Sequence, residues 1–186
     1  MFAGICFKLK LQTQNFCSVN KIKINSTFKK LIADTHTPVG IYLKLRDKFP
    51  KSILLESSDY HGNENSFSYI CCHPRVGFVV DKHQITLDYG QKTESIQIKD
   101  KETVPATVQQ FCSQFETNNL GFPFIHSGLF GYISYDAVKY FEDVNLTKDG
   151  SGISIPEIQY YFYEFVIAIN HFNDELYIFH HEVDGL

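Results

Sequence analysis

The chain has 186 residues, 44% hydrophobic and 20% charged, a composition suited to one ordinary globular domain with a sizeable core. Lys and Arg number 17 against 21 Asp and Glu, so the basic stripe that nucleic acid demands is missing. No apolar run approaches the roughly 20 residues of a membrane-spanning helix.

Seventeen Phe and 11 Tyr without a Trp favour pleated, half-buried surfaces and hence a strand-rich fold. Residues 6–11 and 20–24 alternate in polarity and read as short strands. Lys8, Lys10, Lys21 and Lys23 lie on their wet faces, where lysine guards a sheet edge. Thr37-Pro38 is a helix start, a hydroxyl cap followed by proline at the first helical position. That helix is predicted to run to about Phe49, with Val39, Tyr42 and Leu43 on one face and Pro50 closing it. Ser52–Ser57 reads as a buried strand and Asp59–Asn65 as a turn.

A meander follows, with strands near 66–72, 76–81, 83–89 and 93–98. Ile85, Leu87 and Tyr89 alternate with polar neighbours, giving one wet and one dry face. Val104, Val108, Phe111, Cys112 and Phe115 form one helical stripe, predicting a helix over 103–117. Gly128–Tyr135 is a strand in which Gly128 and Gly131 call for close backbone approach or a bulge. Asp136 caps a short helix to about Phe141, and 143–155 is loop. Ile158–Asn170 and Glu175–His181 form a hairpin around His171–Asp174. The sum is about nine strands and three helices: an α+β fold of mostly antiparallel β-sheets packed as a sandwich, with residues 1–186 as one domain.

Concentrated chemistry is not visible. The phosphate-loop, dinucleotide, zinc-protease and nucleophile-elbow motifs do not occur. His180 and His181 point to opposite faces of a regular strand and cannot share a metal, and Asp136 serves better as a helix cap than as an acid–base partner of Glu142. The reading therefore assigns no catalytic residue and no metal ligand. Five Cys without zinc-type spacing read as reduced thiols, which suits the cytoplasm.

Four segments, in order, carry more information. They are Thr37–Leu45 (TPVGIYLKL), Ile53–Ser57 (ILLES), Phe67–Ile70 followed by Pro74, and Gly128–Asp136 (GLFGYISYD) followed by Tyr140-Phe141-Glu142. Together they resemble the N-terminal region of anthranilate synthase component I, a chorismate-utilising enzyme family. Asn65 stands where that family carries Arg, and Cys71-Cys72 where it carries Gly.

The resemblance implies that this stretch is the regulatory and scaffold part of a longer lyase. That lyase converts chorismate and ammonia to anthranilate and pyruvate with Mg²⁺, in tryptophan biosynthesis. It implies that Ser57, Glu56, Leu55 and Leu54 line a pocket for the feedback inhibitor L-tryptophan. It further implies two partners: the family's own C-terminal chorismate-binding domain, which holds the catalytic and metal residues beyond Leu186, and a glutamine amidotransferase subunit that supplies ammonia. The chain itself is expected to hold no cofactor. Two alternatives remain at this stage: a sister enzyme (aminodeoxychorismate synthase component I, or an isochorismate or salicylate synthase), and a free-standing ligand-binding module.

Overall fold

The computed structural model describes residues 21–56, 66–144 and 155–185. Its elements in chain order are β1 (Ile22–Ile32), α1 (Pro38–Leu45), β2 (Ile53–Leu55), β3 (Phe67–Asp81), β4 (Gln84–Asp88), β5 (Thr93–Gln97), α2 (Thr103–Ser113), β6 (Phe115–Thr117), β7 (Leu129–Ile133), a 3-10 helix (Tyr135–Tyr140), β8 (Ile158–Asn170) and β9 (Glu175–Val183). No described helix is long and apolar enough to cross a membrane. The expected strand at 6–11 and the loops at 59–65 and 145–154 lie outside the described residues.

The β3–β8 ladder is the spine. It runs antiparallel from Phe67 opposite Asn170 to Val80 opposite Ile158, with one register shift between Pro74 and Val76. Both strands outlast their other neighbours, so each outer edge is shared. On β3, residues 69–71 take β2 and residues 77–81 take β4. On β8, residues 158–162 take β7 and residues 165–170 take β9. β1 then pairs β9, and β6 pairs β1 in the one parallel contact among the described strands. The fold is α+β as read from the sequence. The strands expected to stack as a sandwich are joined into one nine-stranded hydrogen-bonded sheet, from which β2 and β7 branch.

Three clusters of apolar side chains fix this arrangement. Val76, Phe78 and Val80 of β3 and Ile158, Tyr160 and Phe162 of β8 meet Val104 and Phe111 of α2. Farther along the spine, Ile70, Ile167 and Ile169 meet Ile41, Tyr42 and Leu45 of α1. An aromatic cluster gathers Phe67, Phe130, Tyr161, Tyr163, Tyr177 and Phe179. Strands buried this way need apolar residues at successive positions rather than alternate ones, which β8 supplies.

Several local expectations change. Residues 66–72 and 76–81 are one strand, because His73 in a left-handed conformation (φ 60°) and the bulge at Pro74–Val76 carry the chain through without a break. α1 has its Thr37 cap, whose hydroxyl accepts the Gly40 N–H at 3.0 Å, but it ends at Leu45. Its core-facing side is the half-buried Ile41, Tyr42 and Leu45, whereas Val39 and Leu43 are exposed. The helix at 103–117 stops at Ser113, and Phe115–Thr117 joins the sheet as β6. Ser134, not Asp136, occupies the cap of the 3-10 helix, and Asp136 sits in its first turn.

The hairpin at the far end closes as expected. Asn170 Oδ1 accepts the Phe172 N–H at 2.9 Å, and Asp174 takes φ 53°. Gly131, opposite Tyr160, allows the close approach expected of it: a Cβ there would drive into the Gln159 carbonyl. Gly131→Ala is therefore expected to cost about 2–3 kcal/mol in urea unfolding. A loss below about 0.5 kcal/mol would contradict the tight β7–β8 contact.

Candidate functional site

β2 carries Leu54 and Leu55, and Glu56 follows it directly. Ile53 lies opposite Cys71, Leu54 opposite Ile70 and Leu55 opposite Tyr69. Period-two geometry divides these side chains between two surroundings. Leu54 packs against the α1 cluster, whereas Ile53 and Leu55 pack against the aromatic cluster. Among the described residues β2 pairs with β3 alone, making it a branch strand with an unpaired side. The expectation of a buried strand is corrected accordingly: Ile53, Leu54 and Leu55 are half-buried and Glu56 is exposed. Ser57 lies outside the described residues.

Two tyrosine hydroxyls hold the entry to β2. Tyr163 donates to the Lys51 carbonyl at 2.9 Å and Tyr42 to the Ser52 carbonyl at 3.4 Å. Beside Leu55 the aromatic surface continues through Tyr69 and Phe130, whose ring centroids are 5.9 Å apart, and through Phe67 and Phe124 at 4.6 Å. Offset and tilted ring pairs of this kind each add roughly 0.5–1.5 kcal/mol beyond the area they bury.

Phe124 belongs to the connection between β6 and β7, and a partly buried polar clamp fixes that connection. Asn118 accepts the Ser26 N–H at 2.7 Å and donates to the Ser26 carbonyl at 3.0 Å. The Ser26 hydroxyl meets His181 Nδ1 at 2.7 Å, and His181 Nε2 meets the His126 carbonyl at 3.0 Å. A carbonyl only accepts, so Nε2 carries the proton and Nδ1 accepts from Ser26. Burial holds the His181 pKa well down, at about 4, with the His126 and His180 rings adding to the shift and the carbonyl bond opposing it. Sequence reasoning missed this clamp.

His180, the neighbour of His181, faces the other way as read from the strand period. It lies 3.5 Å from Glu164 Oε1, while His73 and Arg75 approach Oε2 at 2.9 and 3.6 Å. Arg75, Glu164 and His180 edge an open polar groove of about 480 Å³ that also touches Glu182 and Asp184. His171 bonds the Ser68 hydroxyl at 2.7 Å. Among the described residues no group of three or more His, Cys, Asp or Glu is arranged to hold a metal ion. Cys71, Cys72 and Cys112 are reduced cysteines. Burial pushes Cys72 and Cys112 up to about 11, so both are inert neutral side chains.

No family model matches the chain. Curated relatives do. Anthranilate synthase component 1 of Thermus thermophilus is 29% identical over 150 residues, covering 81% of this chain and 30% of the relative. The Pseudomonas putida protein of the same name is 31% identical over 130 residues, covering 68% and 26%. The chain is related to the N-terminal region of anthranilate synthase component I. The Pseudomonas aeruginosa anthranilate synthase component 1 adds 35% identity over 113 residues, 60% of this chain and 22% of that protein. The chain thus spans less than a third of the length of these anthranilate synthase relatives. A crystal structure of anthranilate synthase component I from Streptococcus pneumoniae aligns over 78% of this chain and 30% of that one, at 17% identity and a TM-score of 0.43.

The clamp gives a signed pH dependence. Folding depresses the His181 pKa from 6.5 to about 4, so the unfolded chain takes the proton first. The stabilisation is complete above pH 6.5 and is lost as pH falls towards 4. Between pH 7.5 and 5 this one group is expected to remove about 2 kcal/mol. Chemical denaturation at both values should show His181→Gln losing less stability than the parent by that amount. An equal loss in both proteins would contradict the assignment.

Proposed function

We propose that this chain is the regulatory and scaffold region of an anthranilate synthase large subunit, and that β2 presents one wall of an L-tryptophan effector pocket. The carrying observation is that Leu54 and Leu55 sit on a half-buried strand that, among the described residues, pairs with β3 alone, directly before Glu56 and Ser57. An amino-acid effector is a zwitterion with an apolar side chain. Glu56 supplies a carboxylate for its ammonium group and Ser57 a hydroxyl for its carboxylate, with the Leu54-Leu55 backbone beside them and the Leu55 side chain, on the aromatic-cluster side, offering apolar surface to the indole.

In this reading the remainder of the longer protein performs the reaction. It converts chorismate and ammonia to anthranilate and pyruvate, with ammonia delivered by a glutamine amidotransferase subunit. In this reading the catalytic groups and Mg²⁺ belong to that chorismate-binding part. Neutral buried thiols accord with a cytoplasmic setting.

An effector acts only through unequal affinity for two states of the enzyme. L-Tryptophan held at β2 would favour an arrangement of the longer protein in which the chorismate site is less competent. The relatives supporting this reading bear the anthranilate synthase name rather than that of a sister enzyme.

In the longer enzyme, Ser57→Phe is expected to raise the tryptophan concentration for half-inhibition at least tenfold with kcat nearly unchanged. Unaltered inhibition in steady-state assays would reject the role of Ser57. The chain alone supplies only part of the pocket, and lost burial is lost affinity. Calorimetric titration of the chain with L-tryptophan should therefore show weak binding, and a submicromolar Kd would contradict a shared pocket.

A further inference from the structure

The outer edge of β1 is half used. Because β1 pairs β9 antiparallel, alternate residues direct their backbone groups away from β9. Lys23 and Ala33 bond towards β9 and its hairpin, so the even-numbered residues face outward. At Ile22 and Ile24 the outward groups are taken by Gln114 and Asn118, on either side of β6. At Ser26 the Asn118 carboxamide takes both the N–H and the C=O, as a paired strand would. Beyond it, Phe28, Lys30 and Ile32 have no backbone partner on that side among the described residues. This free stretch also bears exposed apolar side chains: Phe28 is 48%, Leu31 40% and Ile32 75% accessible.

We propose that Phe28–Ile32 is a strand-addition site for an extended segment carrying an acidic pair between apolar residues. The backbone provides the ladder, and the side chains set the pattern. Phe28, Leu31 and Ile32 ask for apolar neighbours across the gap, whereas adjacent Lys29 and Lys30 ask for carboxylates. Lys30 already meets Glu175 at 2.5 Å, and Lys29 is exposed. A second copy of this chain is the wrong occupant. Antiparallel pairing of two β1 edges about their middle would set lysine against lysine, and like charges directly opposite destabilise a ladder. Those same lysines therefore act as selectors: they repel self-pairing and admit an acidic strand.

The test uses the whole 186-residue chain and two blocked peptides, Thr-Val-Glu-Glu-Val-Thr and Thr-Val-Lys-Lys-Val-Thr, read by amide hydrogen exchange. The palindromic pattern meets the edge equally in either strand direction. The acidic peptide at millimolar concentration is expected to slow exchange at Phe28, Lys30 and Ile32 at least tenfold and to bind at least fivefold more tightly than the basic one. In Lys29→Glu/Lys30→Glu the preference should reverse while the β3 and β8 amides stay protected, which reports an intact fold. Absence of protection, or equal binding of both peptides, would overturn the proposal. Protection of these amides that rises with protein concentration in the absence of peptide would overturn it in favour of a second copy.

Discussion

The β3–β8 ladder is the constraint on which the rest depends. Neither strand has a single neighbour along its outer edge: β3 serves β2 and β4, and β8 serves β7 and β9. A shared edge of this kind requires a twist or bulge where the neighbours change, and the register shift beside Pro74 falls in the interval between the β2-paired and β4-paired residues of β3. Proline fits there because it lacks the N–H that a regular ladder would use. One continuous pair of strands thereby supports two helices, α2 beside Phe78 and α1 beside Ile70.

The position of β2 follows from that division. Since β4 occupies only residues 77–81 of β3, the stretch at 69–71 is left for a three-residue strand. A strand this short, with one partner among the described residues, leaves Leu54 and Leu55 half-buried. Partial burial suits an effector wall, because apolar area that the protein has already covered can contribute nothing to binding. Around it the scaffold is firm. Tyr42 and Tyr163 hold the residues before β2, and the His181–Ser26–Asn118 clamp fixes the connection that brings Phe124 against Phe67. A neutral imidazole with both nitrogens engaged avoids placing a charge in the core, at the expense of stability in acid.

Much of the fold was legible because its signals are local. The β8–β9 hairpin announces itself through long apolar runs around His171-Phe172-Asn173-Asp174, and the α1 start through Thr37-Pro38. Other features are set by distant partners. Phe115 continues the apolar stripe of α2 perfectly well, yet pairing with Ile22 across the sheet places it in a strand. Pro74-Arg75 reads as a break because a bulge leaves no periodic trace. The core side of α1 depends on where Ile70 and Ile167 lie, which an eight-residue helix cannot encode.

The candidate site divides the same way. The Leu54–Ser57 stretch was found by resemblance, since four residues of apolar-then-polar character fit a buried strand equally well. Nothing local marks Ser26, Asn118 and His181 as partners, because 92 and 155 residues separate the first from the other two. The proposed function stands or falls with the effector lying against β2. Its most direct test is hydrogen exchange of the longer enzyme with and without L-tryptophan. Slowed exchange centred on Leu54, Leu55 and Glu56 is the predicted result; unchanged exchange there, under conditions where tryptophan still inhibits, would contradict it.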